Sequence, residues 1–415
     1  MPEDLVTKPP FLLIVSLLVL ASIAVRLGVH RLKLPPVVGY IALGLGLRYL
    51  NQQYAFLDES SVWTLNFFAD LGVVSLLFHV GLRSDLSGLL EQLPRASVVW
   101  VCDVAVSAAI GFWGARLLGF DVVPALFAGT ALSATSVSVS VSVWEEAKAI
   151  QSRMGELLLD VAELDDLSAI VLLVVTLAVA PALIATGHAD GMAAVVLKAS
   201  GMVILKLALF AAGCWLFSLH LEARITGYFA RFRKAPEPLL AIVGFGFGIA
   251  ALAGWLGFSV AVGALFAGLM FSRDQEAVNV DAGFGTIYAL FTPFFFINIG
   301  YGFDPTVFGS AATLGLFVFV AAVLGKVLGV GAPVAVSSGL EPALLLGVSM
   351  VPRAEIALLV MQTGNQMGPK YVPPELYGAV VLAAAAASIG SPLALFRLLE
   401  KWPGAVDLGR KPAKG

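Results

Sequence analysis

Charge is scarce in this chain: only 13% of its 415 residues are Asp, Glu, Lys or Arg, against about 25% in ordinary soluble domains. Histidine occurs four times and cysteine twice, which argues against a His/Cys metal centre and a disulfide framework. Cys102 and Cys214 both fall inside apolar runs and read as buried thiols. There is no P-loop, no nucleophile motif and no metal-ligand spacing. The run Gly244-Phe-Gly-Phe-Gly248 lies within an apolar stretch, where small residues serve helix packing and not phosphate binding. His79 reads as packing. Enzyme chemistry, a cofactor and a nucleic-acid partner are therefore not expected.

What the chain has instead is apolar length. Hydrophobic residues make up 59% of it. Apolar runs fall near 11–29, 35–50, 63–82, 96–118, 122–143, 155–182, 192–219, 237–255, 258–272, 285–301, 308–333, 343–362 and 375–398. A bilayer core about 30 Å thick takes about 20 helical residues, so each run is long enough to cross or nearly cross. The expected fold is an all-α polytopic membrane protein of about thirteen spans, 1–415 forming one membrane domain. Residues 1–10 carry Glu3, Asp4 and Lys8 and lack a basic leader, so 11–29 reads as a retained helix. Loops after odd-numbered spans, with the C-terminus, hold sixteen Lys and Arg; the other side holds only Lys8, Arg48, Arg116 and Lys370. The positive-inside rule then sets the N-terminus outside and the C-terminus in the cytoplasm of a bacterial inner, or plasma, membrane.

The two halves resemble each other. Pro124-Ala-Leu-Phe-Ala-Gly129 matches Pro342-Ala-Leu-Leu-Leu-Gly347. Phe78-His-Val-Gly81 with Asp85 matches Phe296-Ile-Asn-Ile-Gly300 with Asp304, and 39–47 shares its Gly-and-aliphatic texture with 263–270. Each match pairs span n with span n+7. Because seven is odd, the second copy is inverted, the architecture of secondary transporters. The expected organisation is a first repeat over 11–185, a linker helix within 186–234 and a second repeat over 235–400.

Spans 5 and 12 are repeat mates, and each carries a helix-weakening sequence at mid-depth. Span 5 has Ser133-Ala-Thr-Ser-Val-Ser-Val-Ser-Val-Ser142, whose hydroxyls compete for backbone hydrogen bonds. Span 12 has Pro352, which removes one such bond. Broken helices at matched positions point to the binding site. Arg353 and Glu355 follow closely and are placed to neutralise the half-helix ends.

Few ionisable residues lie deep in these runs. Asp165 and Asp166 sit side by side near the middle of span 6, where each carboxylate costs about 2.5–3.5 kcal/mol on insertion scales. Glu156, Asp160, Glu163 and Asp166 are spaced 4, 3 and 3 and share one helical face. That stripe reads as a cytoplasmic funnel for cations ending at Asp166, the expected cation and proton carrier. Asp165 points about 100° away and is free to pair with Lys326 of span 11. Paired, Lys326 keeps its charge until a cation competes for the carboxylate, so proton and cation binding exclude each other. Arg26, Asp70, Asp103, Lys198 and Lys206 read as paired or snorkelling.

These residues resemble those of monovalent cation:proton antiporters of the sodium/hydrogen exchanger superfamily. The likeness rests on Asp165-Asp166 after Thr135-Ser136, Phe294-Phe295-Phe296-Ile-Asn-Ile-Gly300, Gly325-Lys326-Val-Leu-Gly329 and Pro352-Arg353-Ala354-Glu355. It is nearest the antiporter-2 branch, of NapA-like, adjacent Asp-Asp type, although Ala354 stands where that pattern has glycine. The resemblance implies Na+ bound at Asp166, with Li+ and K+ as other candidates, help from Thr135 or Ser136, and Asp165 paired with Lys326. It implies a core of spans 4–6 and 11–13, a separate dimer domain, a homodimer, elevator-type alternating access, an electrogenic cycle and a part in pH homeostasis. Lack of a C-terminal nucleotide-binding segment leans away from glutathione-gated potassium efflux. K+/H+ exchange is the nearest rival. A sodium-coupled organic anion symporter would need a larger cavity and a non-titrating sodium site, against which two aspartates beside a lysine argue.

Overall fold

The computed structural model describes residues 9–31, 34–84, 86–186, 192–222, 224, 237–272 and 275–406. Every regular element among them is helical. In chain order the α-helices are α1 (Pro9–Arg31), α2 (Pro36–Tyr54), α3 (Glu59–Arg83), α4 (Leu86–Leu117), α5 (Val122–Ser133), α6 (Ser138–Glu146), α7 (Arg153–Thr186), α8 (Met192–Phe217), α9 (Glu237–Trp255), α10 (Val260–Met270), α11 (Gln275–Gly302), α12 (Phe308–Gly329), α13 (Gly331–Ser338), α14 (Leu340–Ser349), α15 (Glu355–Met367) and α16 (Pro374–Lys401). Asp85, Lys33, Arg231, Arg233, Lys234 and the tail from 407 lie outside the described residues, as does most of the stretch between α8 and α9.

Each of the thirteen apolar runs is helical. Runs 5 and 12 are each split in two, as α5/α6 and α14/α15. Among the described residues, eight helices are long and apolar enough to cross a bilayer unaided. Some boundaries differ from the hydrophobic runs for physical reasons. α11 starts ten residues before the run at 285 because helix geometry continues through the polar stretch from Gln275. The run at 308–333 ends as two helices, α12 and α13. Pro333, in the first turn of α13, has no N–H to carry the ladder across. Large apolar side chains face outward on many helices: Leu117 and Trp255 are each 88% exposed and Val336 92%. Water would not tolerate that surface; hydrocarbon does.

The chain divides into two compact units: Met1–Leu86 with Gly201–Gly302, and Ser87–Ser200 with Phe303–Gly415. The first unit is assembled on glycine. A methyl group at Gly81 would strike the Leu265 carbonyl and crowd Gly268, and one at Gly300 would strike the Ile41 carbonyl. These glycines bring α3 onto α10 and α11 onto α2 at backbone distance, the contact that association within a membrane favours. Asp58 and Ser259 cap α3 and α10 with their side-chain oxygens.

The second unit has an apolar core in which Trp144 of α6, Met154 and Leu158 of α7, Leu345 of α14 and Leu395 of α16 are almost wholly buried. Glycine again sets a helix crossing. A methyl at Gly325 would lie 3.1 Å from Ser107 Cα, and one at Gly329 2.8 Å from Asp103 Cα. The Gly325-xxx-Gly329 face of α12 thus holds α4 close. Gly329→Ala is expected to cost about 1–3 kcal/mol by overpacking and to lower the melting temperature of the detergent-solubilised protein. Gly46→Ala has open space around it and should leave that temperature unchanged or slightly raised. A thermal melt of both variants checks this.

Candidate functional site

The two breaks lie in the second unit and meet. α5 ends at Ser133, and Ala134 turns the chain extended, with φ −64° and ψ 150°. Ser133 Oγ bonds back to the Thr130 carbonyl at 2.8 Å, the local competition the serine-rich sequence implies. In the mate, α14 ends at Ser349 and α15 begins at Glu355. Between the breaks, Ser136 N–H donates to the Pro352 carbonyl at 2.9 Å. Ala354 sits at φ −146°, outside the left-handed region that favours glycine.

Each break exposes carbonyls at one half-helix end and N–H groups at the other. The carbonyl ends are met by cations and hydroxyls. Arg353 donates from Nη2 to the Leu132 carbonyl (2.8 Å) and from Nη1 to the Met350 carbonyl (3.1 Å). Lys326 Nζ reaches the Ser133 carbonyl at 2.7 Å, and Ser140 Oγ the Ser349 carbonyl at 2.6 Å. At the opposite ends, Glu355 opens α15 and accepts from Ser136 Oγ at 2.6 Å. The charges therefore complement the dipoles: cations on the C-terminal ends, a carboxylate at an N-terminal one.

Lys326, fully buried on α12, bridges three elements. Besides the Ser133 carbonyl it donates to Asp165 Oδ2 at 2.8 Å and to Asp103 Oδ2 at 2.7 Å. Its three N–H bonds are all used. Asp165, on α7, is also fully buried. Its Oδ2 accepts from Thr135 Oγ1 as well, while its Oδ1 is buried with no hydrogen-bond donor among the described residues. That orphaned oxygen is costly unless something binds it.

Asp166 is differently placed. It is only half-buried, and it makes no hydrogen bond among the described residues. Asp165, Glu355 and Glu163 bear on it with like charge, Lys326 with opposite charge. Along the same helix, exposure falls from Glu156, exposed, to Asp160, Glu163 and Asp166, half-buried. Leu158, Val161, Ala162 and Leu164, on the other faces, are buried. The stripe of four acids is thus the wetter face of α7.

The structure therefore brings Asp165, Thr135 and Lys326 together, and Ser136 with Glu355, with Arg353 spanning both broken helices. It does not put Thr135 or Ser136 on Asp166; their hydroxyls are engaged by Asp165 and Glu355. Asp103 is what residue spacing missed. Grouped by sequence with Arg26, Asp70, Lys198 and Lys206, it alone of the five is buried; the other four are exposed. The available signal was Asp103 with Ser107, one turn apart in α4, as the polar pair of an otherwise apolar stretch. It pointed to no partner, because Lys326 is 223 positions away.

Comparison with known proteins bears on the family and the fold. The model of the sodium/hydrogen exchanger transmembrane family matches residues 15–401. A Na(+)/H(+) antiporter of Enterococcus hirae is 26% identical over 396 residues, covering 92% of this chain and 97% of that one. The high-affinity Na(+)/H(+) antiporter NhaS3 of Synechocystis is 28% identical over 326 residues, covering 76% and 67%. The Na(+)/H(+)-K(+) antiporter GerN of Bacillus cereus is 26% identical and covers 97% of each chain. In fold, the chain is similar to the sodium proton antiporter MjNhaP1 of Methanocaldococcus jannaschii, with TM-scores of 0.61 and 0.65, 15% identity and coverage of 96% and 98%. These relatives are transporters, not enzymes. The family match takes in nearly every helix, both broken ones included, and on that breadth the chain belongs to the sodium/hydrogen exchanger family.

Proposed function

We propose that the protein exchanges Na+ for protons across a bacterial inner membrane, with the N-terminus outside and the C-terminus in the cytoplasm, and that Asp166 and Asp165 carry the exchange. One observation supports this above the rest. Asp165 gives one carboxylate oxygen to Lys326 and leaves the other without a donor among the described residues, and the next residue along α7 is the half-buried Asp166. A cation seated there gains two carboxylates; a proton seated there displaces it. Asp165 and Asp166 are two adjacent carboxylates, each able to take one proton. Two proton sites facing one Na+ favour two protons per Na+ and an electrogenic cycle of the adjacent Asp-Asp, NapA-like type. Glu156, Asp160 and Glu163 then concentrate cations at the cytoplasmic end, and elevator-type displacement of the unit carrying the site alternates its access. Arg353 and Glu355 hold the broken helices together around it.

The two-copy organisation draws support from the glycine contacts. Gly300, the repeat mate of Gly81, seats on Ile41 of α2 as Gly81 seats on Leu265 of α10; α2 and α10 carry the third repeated stretch. A homodimer is part of this reading.

Proteoliposomes loaded acid test the exchange. Adding Na+ or Li+ outside should alkalinise the lumen, and an inside-positive potential set with valinomycin should accelerate it. No alkalinisation by any of Na+, Li+ or K+ would sink the reading. Potassium is the one rival with a specific argument, since the relative GerN carries both Na(+) and K(+) in its name; alkalinisation by K+ alone would select it.

A further inference from the structure

Asp103 and Asp165 grip the same ammonium at nearly the same distance, 2.7 and 2.8 Å from Lys326 Nζ. Both are fully buried. They differ in everything else. The second oxygen of Asp103 accepts from Ser107 Oγ at 3.0 Å within the same helix, so that carboxylate is complete. The second oxygen of Asp165 has no donor among the described residues. The Asp103 backbone is clamped to α12 by Gly329, and that of Ser107 by Gly325; the distance between α4 and Lys326 is therefore fixed by packing. Asp165 is followed on α7 by the half-buried Asp166; Asp103 lies on α4.

The geometry points to Asp103 as a positioning residue for the exchange: the constant counter-ion that holds Lys326 while Asp165 turns to the cation or the proton. It rests on the antiport reading above and adds a division of labour to it. When a cation takes Asp165, the ammonium must give up that bond. With Asp103 and the Ser133 carbonyl still in place, it keeps a full negative charge and two of its three acceptors. Without Asp103 it would be left buried against a single carbonyl, facing a second cation. Asp103 thus lowers the cost of releasing Asp165. Protons then ride on Asp165 and Asp166.

The test is the sodium KM of proteoliposome exchange, read separately from its maximal rate. Asp103→Asn keeps the shape of the side chain and removes its charge. It should raise the sodium KM at least tenfold, because Asp165 becomes the only anion on Lys326. Asp103→Glu should return KM to within threefold of wild type. An unchanged KM in Asp103→Asn, whatever its maximal rate, overturns the role; so does an equal rise in both variants, which would assign the effect to packing. If Asp103→Asn does not reach the membrane, Asp103→Asn/Lys326→Gln takes its place. Sodium binding to the purified protein is then read, since it needs no turnover: with no ammonium to compete, the sodium Kd should be at or below wild type, and a tenfold rise there overturns the role as well. Failure of the wild type to exchange any cation would overturn the antiport reading, and this role with it. A wild type that exchanges sodium beside an Asp103→Asn of normal KM overturns the role alone.

Discussion

Asp166→Asn should abolish cation-dependent alkalinisation while leaving the fold intact. Asn has the same shape and no charge. A carboxylate–cation contact near 4 Å is worth about 4 kcal/mol at an effective dielectric of 20, so its loss weakens cation capture by roughly a hundred- to a thousandfold. The lost side-chain charge also removes one proton acceptor, so no compensation through slower exchange is available. Stability should barely change. Asp166 makes no hydrogen bond among the described residues and faces three like-charged groups, Asp165, Glu355 and Glu163, against one opposite charge. Removing its charge relieves repulsion if it does anything. The expected pair of results is a proteoliposome trace indistinguishable from empty vesicles and a melting temperature within about 2 °C of wild type, about the shift of 1 kcal/mol or less. Retained exchange would move the ion off Asp166. A collapsed melting temperature would mean that the residue is structural.

How far the sequence reaches is clearest at the broken helices. Both breaks were legible because each is local: Ser133 bonds back within its own turn, and Pro352 lacks its own N–H. The roles of Arg353 and Glu355 at the half-helix ends followed from their closeness to Pro352 in sequence. The face of Asp165 followed from helical period alone. What could not be read is anything set by the crossing of distant helices. That α4 meets α12 depends on Gly329 and Gly325 matching Asp103 and Ser107 across 218 to 226 positions, and apolar periodicity is silent on which faces meet. The same applies to Trp144 Nε1 on Ser349 Oγ at 2.8 Å and to Thr130 with Thr176 at 2.8 Å. Helix ends were legible only where apolar character and helix ended together. α11 runs on into polar sequence, and α12 stops where the apolar run continues.

Lys326→Met carries the largest expected effect on stability. Met matches the length and apolar stem of Lys but donates nothing. Two buried carboxylates and the Ser133 carbonyl lose their common donor. Breaking a buried ion pair from one side costs about 3–5 kcal/mol, because the partner charge stays behind. Here two partners stay behind, and Ser107 and Thr135 are what remain to satisfy them. For a unit of about 200 residues each kcal/mol moves the melting temperature by roughly 2–4 °C, so a fall of about 10 °C is expected in a detergent melt. Arg353 does not fill the gap: its Nη1 and Nη2 are committed to the Met350 and Leu132 carbonyls. Transport should fall too, though for a different reason than in Asp166→Asn, since the competitor that makes proton and cation binding exclusive is gone. Measured together, the two variants separate the groups. Asp166→Asn should lose exchange and keep its melting temperature; Lys326→Met should lose both. A melting temperature unchanged in Lys326→Met would mean that Asp103 and Asp165 are held by something other than the ammonium between them, and the electrostatic account of the crossing would fall with it.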